Sequence, residues 1–334
     1  MTKAAATGAG TCLVLLLSGL AACSGDAGEA PSTSAGDAGV RATSASPPSS
    51  EGQPAGRFTL RLIAASSITN TPALARLQGS VRSAPPHQMM GWLLKEEEGA
   101  CRLEIPDFPF CDPECPRAQV CVAGDVCSQD PVAVDVGTVT VFGLRTKDGS
   151  EEPVTLMRIG PNYQPSASVA LDYPPVAPGA PLRLEASGGD HEPFEVGTTG
   201  IAELNAERDT PIPFERDRPL RVSWIAAAGE RSTIEAVVDI SHHGGVKGRI
   251  HCAADDQEGH LEVPVSLVTG LYDLGVAGFP IVRLTRSAVG RTGDIEFAAE
   301  QSLELNLAIP GITSCLGHED CPDGQACRLD RTCG

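Results

Sequence analysis

The sequence predicts an all-β protein: an antiparallel β-sandwich carrying two small disulfide-rich modules. Three observations lead there. Between residues 57 and 311, about a dozen short runs alternate apolar and polar residues, are rich in Val, Ile, Leu and Thr, and end at Gly, Pro, Asp or Asn. Only one segment has helical spacing. The cysteines beyond residue 100 fall largely into two clusters of matching pattern. Many short strands with frequent turns bury their apolar faces best as two packed sheets.

The strand candidates follow in order. FTLRLIAAS begins at Phe58, HQMMGWLLKEE at His87 and CRLEI at Cys101, followed by GTVTVFGLR from Gly137, PVTLMRI from Pro153 and PLRLEAS from Pro181. In PLRLEAS, Leu182 and Leu184 face one way while Arg183 and Glu185 face the other. PLRVSWIAA, STIEAVVDIS, GRIHCAA, HLEVPVS, FPIVRLTRSAV and DIEFAAEQSLELNL complete the set. The helix is expected over Pro264 to Leu274, with Leu267, Val268, Leu271 and Leu274 on one face, Ser266 as N-cap and Gly275 as stop. It reads as a cap on one end of the sandwich. Trp224 resembles the core tryptophan of immunoglobulin-like domains, although its distance to Cys252 departs from their pattern, so the likeness implies a loosely Ig-like architecture.

Upstream of the body, Lys3 and the apolar run Leu13 to Leu20 form a secretory signal too short to span a bilayer. Leu20-Ala21-Ala22-Cys23 resembles a bacterial lipobox. The resemblance implies a lipoprotein signal peptide over residues 1–22 and lipidation of Cys23; Ser24 in place of Asp implies sorting to the outer membrane of a Gram-negative cell, with the body facing the periplasm or the cell surface. Residues 24–56 contain no Ile, Leu, Phe, Trp or Tyr. They cannot bury enough surface to offset ordering entropy, so residues 23–56 read as a lipidated cysteine and a disordered tether with a mean reach on the order of 30 Å.

Composition narrows the partners. A net charge of −18 with no Lys/Arg-rich run argues against nucleic acid and anionic lipid headgroups. Aromatic residues at 4% weaken a sugar-binding reading, which needs exposed rings.

Twelve cysteines, less Cys12 in the signal and Cys23 at its end, leave ten in an exported chain, where disulfides persist. Cys111, Cys115, Cys121 and Cys127 form one cluster, and Cys315, Cys321, Cys327 and Cys333 another; Cys101 and Cys252 remain as a long-range pair that would pin early strands to late ones. Glu114-Cys115-Pro116 to Cys127 and Asp320-Cys321-Pro322 to Cys333 share the pattern acid-C-P-x-x-Q-x-C-x5-C. This unit resembles the start of the Dickkopf N-terminal cysteine-rich motif, as it recurs in bacterial envelope lipoproteins. The resemblance covers about 17 to 19 residues per copy and stops after four cysteines. It implies a small stapled knot; receptor binding of the animal kind does not carry over to so short a match. Zinc would want closer ligand pairs such as C-x2-C, and a redox centre would want C-x-x-C. Four cysteines allow three pairings; first-to-third with second-to-fourth is the expectation. The organisation is then a body over 57–311, a cysteine-rich insert at about 101–130 and a C-terminal module over 312–334.

The densest polar stretch, SHHGGVKGRIHCAADDQEGH, offers His242, His251, Asp255 and His260 as metal ligands, with His243 and Asp256 beside them. Against this, His242 to Gly245 and DDQEG read as turns, and adjacent histidines on a strand point to opposite faces. Asp255, Asp256 and Glu258 could alternatively hold a calcium ion. G-x-S-x-G, HExxH and the phosphate-binding glycine motifs do not occur in a usable context. The expectation is a non-catalytic, cofactor-free envelope protein, membrane-bound through Cys23. Its role would be adhesion, recognition or structural support toward an envelope or extracellular protein or glycan. The alternative is a metal-dependent extracytoplasmic hydrolase using the cluster at 242–260, and a third option is an assembly factor for other envelope proteins.

Overall fold

The computed structural model describes residues 53–65, 72–88, 90–207, 210–229 and 231–334. The signal segment, Cys23 and nearly all of the tether lie outside these residues. Early in the chain come strands β1 (Gly56–Ile63), β2 (Leu74–Val81), β3 (Gly91–Glu98) and β4 (Cys101–Asp107), then the short hairpin β5 (Gln119–Val122) and β6 (Val126–Gln129). The middle holds β7 (Val139–Phe142), β8 (Val154–Ile159), β9 (Asn162–Pro165), β10 (Pro181–Ala186), β11 (Phe194–Thr199) and β12 (Ile212–Pro213). Next are β13 (Leu220–Ser223), β14 (Thr233–Asp239), β15 (Arg249–Asp255), β16 (His260–Val263) and the helix α1 (Val265–Leu274). The long pair β17 (Ile281–Thr292) and β18 (Ile295–Ala308) completes the body.

The fold is all-β, as the alternation predicts. One large sheet runs β11-β10-β7-β8-β9-β2-β1-β18-β17-β14-β15-β4-β3, with β12 beside β18; β13–β16 and β5–β6 are separate pairs. Pairing is antiparallel except at β1–β18 and β12–β18, which are parallel. Those partners are far apart in sequence, so no hairpin turn dictates their direction. Alternation did not single out β2, β5, β6, β9, β11 or β12. In β2, LARLQGSV, Arg76, Gln78 and Ser80 leave only Leu77 and Val81 fully apolar and buried.

The β17–β18 hairpin is the spine of two cores. Val282, Leu284, Leu303 and Leu305 enter one, with Val222, Ile234, Ile250 and Leu261. Ala288, Phe297 and Ala299 enter the other, with Phe58, Leu60, Val141 and Leu184. In the second core the sheet curls until β11 lies over β17, where Thr198 Oγ1 donates to Ala288 O at 2.9 Å. A Cβ at Gly290 would sit 1.6 Å from Gly197 O, so only glycine admits this approach. In the first core the β13–β16 pair faces the large sheet, giving the sandwich layering.

Between the cores runs a polar seam. Arg286, on β17, is 1% exposed and places Nη2 2.8 Å from Asp256 Oδ1 and 2.5 Å from Ile225 O, and Nη1 2.8 Å from Glu203 O. Its Nε is 2.8 Å from Asp256 Oδ2 as an ion contact without hydrogen-bond alignment. Ser232 Oγ donates to the same carboxylate at 2.6 Å. Opposite Arg286 in register, Gln301 accepts from Leu204 N at 2.6 Å. Burial and Glu203 push the nearby Tyr173 hydroxyl up to about 12. A charge pair this deep is satisfied on nearly every side; removing one member of such a pair costs about 3–5 kcal/mol.

Helix α1 packs over β4, β15 and β3 through Leu267, Val268 and Leu271. Its N-cap is Pro264, not Ser266, which lies inside the first turn and donates to Glu98 Oε2 at 2.5 Å. Proline offers no side-chain acceptor, so the helix starts without a side-chain cap. Trp224 is buried just after β13 and donates its indole N–H to Asp256 O at 2.9 Å. Cys101 and Cys252 are directly opposed on β4 and β15 and bonded, with Cα atoms 4.1 Å apart. The bridge therefore ties neighbouring strands of one sheet, unlike the inter-sheet bond of immunoglobulin domains.

Candidate functional site

The His/Asp stretch is dispersed by the fold. His242 sits on a 3-10 turn between β14 and β15, its Nδ1 3.9 Å from Asp239 Oδ1. His251 lies on β15, 3.8 Å from Glu235 Oε2, and its proximity holds the Glu235 carboxyl below the ordinary value against the opposing effect of burial. Asp255 accepts from Gln257 N at 2.9 Å and caps the next 3-10 turn, while His260 opens β16 with Nδ1 2.9 Å from Glu258 O. The calcium reading loses Asp256 to Arg286. Among the described residues, clusters of three potential metal ligands within 4.8 Å occur only at module cysteines. All of those sulfurs are already in disulfides.

In the first module Cys111 joins Cys121 and Cys115 joins Cys127; in the second Cys315 joins Cys327 and Cys321 joins Cys333. Both therefore pair first-to-third and second-to-fourth. In the first, β5 and β6 place Cys121 opposite Cys127, and the two bridges fasten the preceding loop to this hairpin. The module hangs from the end of β4 and leans on the start of β3. His87 Nε2 lies 2.6 Å from Gln129 O, and the Ala123 Cβ would be 3.3 Å from a Cβ on Gly91.

This junction carries a group of exposed large apolar side chains. Phe108 is 65% and Phe110 77% exposed, on the segment leading from β4 into the knot. Phe110 N donates to Asp125 Oδ1 at 2.7 Å, and the next residue along, Val126, is also exposed. Asp107 pairs with Gly91, so Phe108 emerges next to the beginning of β3, where Leu93 and Leu94 are also exposed. Two bridges hold these rings out on a stiff base, and an exposed apolar group on a rigid scaffold marks an interaction surface. Sequence reasoning passed over them. The available signal was Phe-Pro-Phe inside an otherwise polar insert.

The surroundings of this face are acidic. β3 ends Lys95-Glu96-Glu97-Glu98, and Asp107, Asp112, Glu114 and Asp125 follow along the hairpin and knot. Most nearby cations are engaged elsewhere on the outer face of the sheet. Arg102 and Arg249 both pair with Glu104, and Arg249 also covers the Trp92 ring at 3.8 Å. Farther along, Arg57 and Arg61 meet Glu300, and Arg283 meets Glu304. Glu96 and Glu97 have no ion pair among the described residues.

A second feature is an open cleft of about 560 Å³ lined by Thr146, Ser150, Thr155, Ser166 and Ser168, with Lys147 at its side. Its one well-fixed carboxylate, Asp148, takes Thr146 Oγ1 at 2.5 Å and Ser150 N at 3.1 Å, and these bonds lower its pKa below the ordinary carboxylate value. The carboxylate thus closes its own turn and holds no nucleophile or base in position.

No family model matches the chain. No curated relative matches it. Among solved structures, the FN1–FN3 domains of chicken CNTN1 are similar over 70% of this chain and 72% of that one, at 11% identity and a TM-score of 0.18.

Proposed function

We propose that this chain is a non-catalytic recognition or adhesion protein of the cell envelope, anchored through a lipidated Cys23 to the outer membrane. The β-body is held off the lipid by the tether and meets its partner through the stapled β3–β4 edge. The observation that carries the reading is the exposure of Phe108, Phe110, Val126, Leu93 and Leu94 along the β3–β4 edge and the two-disulfide module that follows it. The lipobox-like Leu20 to Cys23 supports the anchoring, and five disulfides support an oxidising compartment.

The test uses cross-linking and pull-down from intact envelopes. Phe108→Ala with Phe110→Ala should leave stability within about ±0.5 kcal/mol, since exposed side chains contribute little to folding, yet lose the captured partner. Retention of the same partner by this variant would overturn the reading. Cys23→Ala should shift the protein from the membrane to the soluble fraction; persistence in the membrane would refute the lipid anchor.

A further inference from the structure

The recognition reading leaves the chemistry of the partner open, and the edge of β3 narrows it. β3 is the terminal strand of the large sheet and pairs only with β4 among the described residues. Its other edge therefore presents backbone N–H and C=O groups along eight residues, a length of about 26 Å. Such an edge is a template for one more strand. The side chains beside it are of two kinds: Leu93 and Leu94 near its start, then Lys95 and three glutamates. A bulge between Leu94 and Glu96 shifts the alternation, so Leu94 shares a face with Trp92 while Glu96 falls on the face of Leu93. Each face thus offers apolar contact followed by negative charge, and Phe108 and Phe110 extend the apolar end.

We propose that the outer edge of β3 accepts an extended segment of a partner protein, apolar at one end and cationic at the other, as an added strand. Its apolar side chains would lie against Leu93, Leu94 and the two phenylalanines, and its Lys or Arg residues against Glu96 and Glu97. A second copy of this chain fits poorly: antiparallel pairing of two such edges in full register sets Trp92 and Leu93 against Glu97 and Glu96, and parallel pairing sets glutamates against glutamates, in a chain of net charge −18. This inference rests on the recognition reading and specifies the class of partner.

The test uses the full chain and synthetic peptides of about eight residues, followed by fluorescence anisotropy. A peptide with a valine half and a lysine half should bind, and more weakly as salt rises from about 0.05 to about 0.5 M. Its valine–glutamate counterpart should bind at least about tenfold more weakly, and so should the first peptide to the Glu96→Lys/Glu97→Lys variant. Methylating alternate backbone amides of the peptide leaves the protein untouched and should abolish binding. Equal binding by the methylated peptide, or by the charge-reversed variant, overturns the proposal. So does sedimentation showing the chain self-associating through this edge. If the charge-reversed variant still captures its envelope partner while Phe108→Ala/Phe110→Ala loses it, the cationic strand is wrong and the recognition reading stands. If neither variant loses the partner, the recognition reading itself falls.

Discussion

The two stapled modules share a cysteine pattern and a pairing, yet they sit on the body in opposite ways. The second is built in. Cys315 is fully buried, Gly278 N donates to Asp330 O at 2.7 Å, and Phe279 N donates to Ser314 Oγ at 2.7 Å. In the five residues before Cys321, Asp320 takes the amides of Leu316 and Gly317 and shapes a turn. The first has only three residues in that place, keeps all four cysteines partly exposed, and leans on the body through His87 and Gly91. The cysteine spacing thus specifies the knot, while the flanking residues decide whether it clamps the body or is displayed from it.

Removing one bridge from each module is the strongest way to break this contrast. Cys315→Ala/Cys327→Ala should destabilise the whole protein by about 2–4 kcal/mol in urea unfolding, because the bridge restrains the chain where it packs into the body. Cys111→Ala/Cys121→Ala should leave the global midpoint nearly unchanged and instead speed proteolysis within residues 111–127. Equal losses of global stability in the two variants would mean that both modules are clamps.

The glycines under the modules sharpen the same comparison at smaller scale. A Cβ at Gly278 would fall 2.0 Å from the Arg331 carbonyl oxygen, a backbone atom that cannot step aside alone. At Gly91 the nearest atom is the Ala123 Cβ at 3.3 Å, which a slight shift of the hairpin relieves. Gly278→Ala should therefore cost about 1–3 kcal/mol and Gly91→Ala less than about 1 kcal/mol, measured as shifts in denaturation midpoint. A larger loss at Gly91 would show the first module to be the more tightly packed of the two.

What the sequence made legible, and what it hid, follows from how local each feature is. Period-two runs such as PLRLEAS announced strands because their alternation needs no partner to be seen. Pairing in the large sheet was hidden: β1 lies parallel to β18, more than two hundred residues away, and nothing in either segment names the other. Asp256 read as one of three carboxylates in a solvent turn, since its partner Arg286 lies thirty residues downstream on another strand. Ser266 looked like a cap from its position, but the proximity of Glu98 redirected it. Phe108 and Phe110 were passed over for a further reason: exposure is a property of the finished surface, and an apolar pair in a loop resembles any core residue until the strands around it are placed.

The smallest expected effect separates the modules by acidity. His243 stands where the second module docks: its ring is 5.7 Å from that of Phe279 and 4.0 Å from that of His242, and Arg331 and Asp330 approach from the module. Partial desolvation of this exposed ring, with His242 and Arg331 adding positive charge, lowers its pKa from the ordinary 6.5, and Asp239 only partly opposes them. Between the lowered value and 6.5 the folded protein binds fewer protons than the unfolded chain. Stability from this group is therefore complete above the ordinary value and declines as pH falls through the lowered one. Mild acid should loosen the second module, seen as faster amide exchange across residues 313–333, by less than either glycine substitution does. His243→Gln should remove that dependence while leaving exchange in the first module unaltered. Acid loosening that persists in His243→Gln would place the titrating group elsewhere.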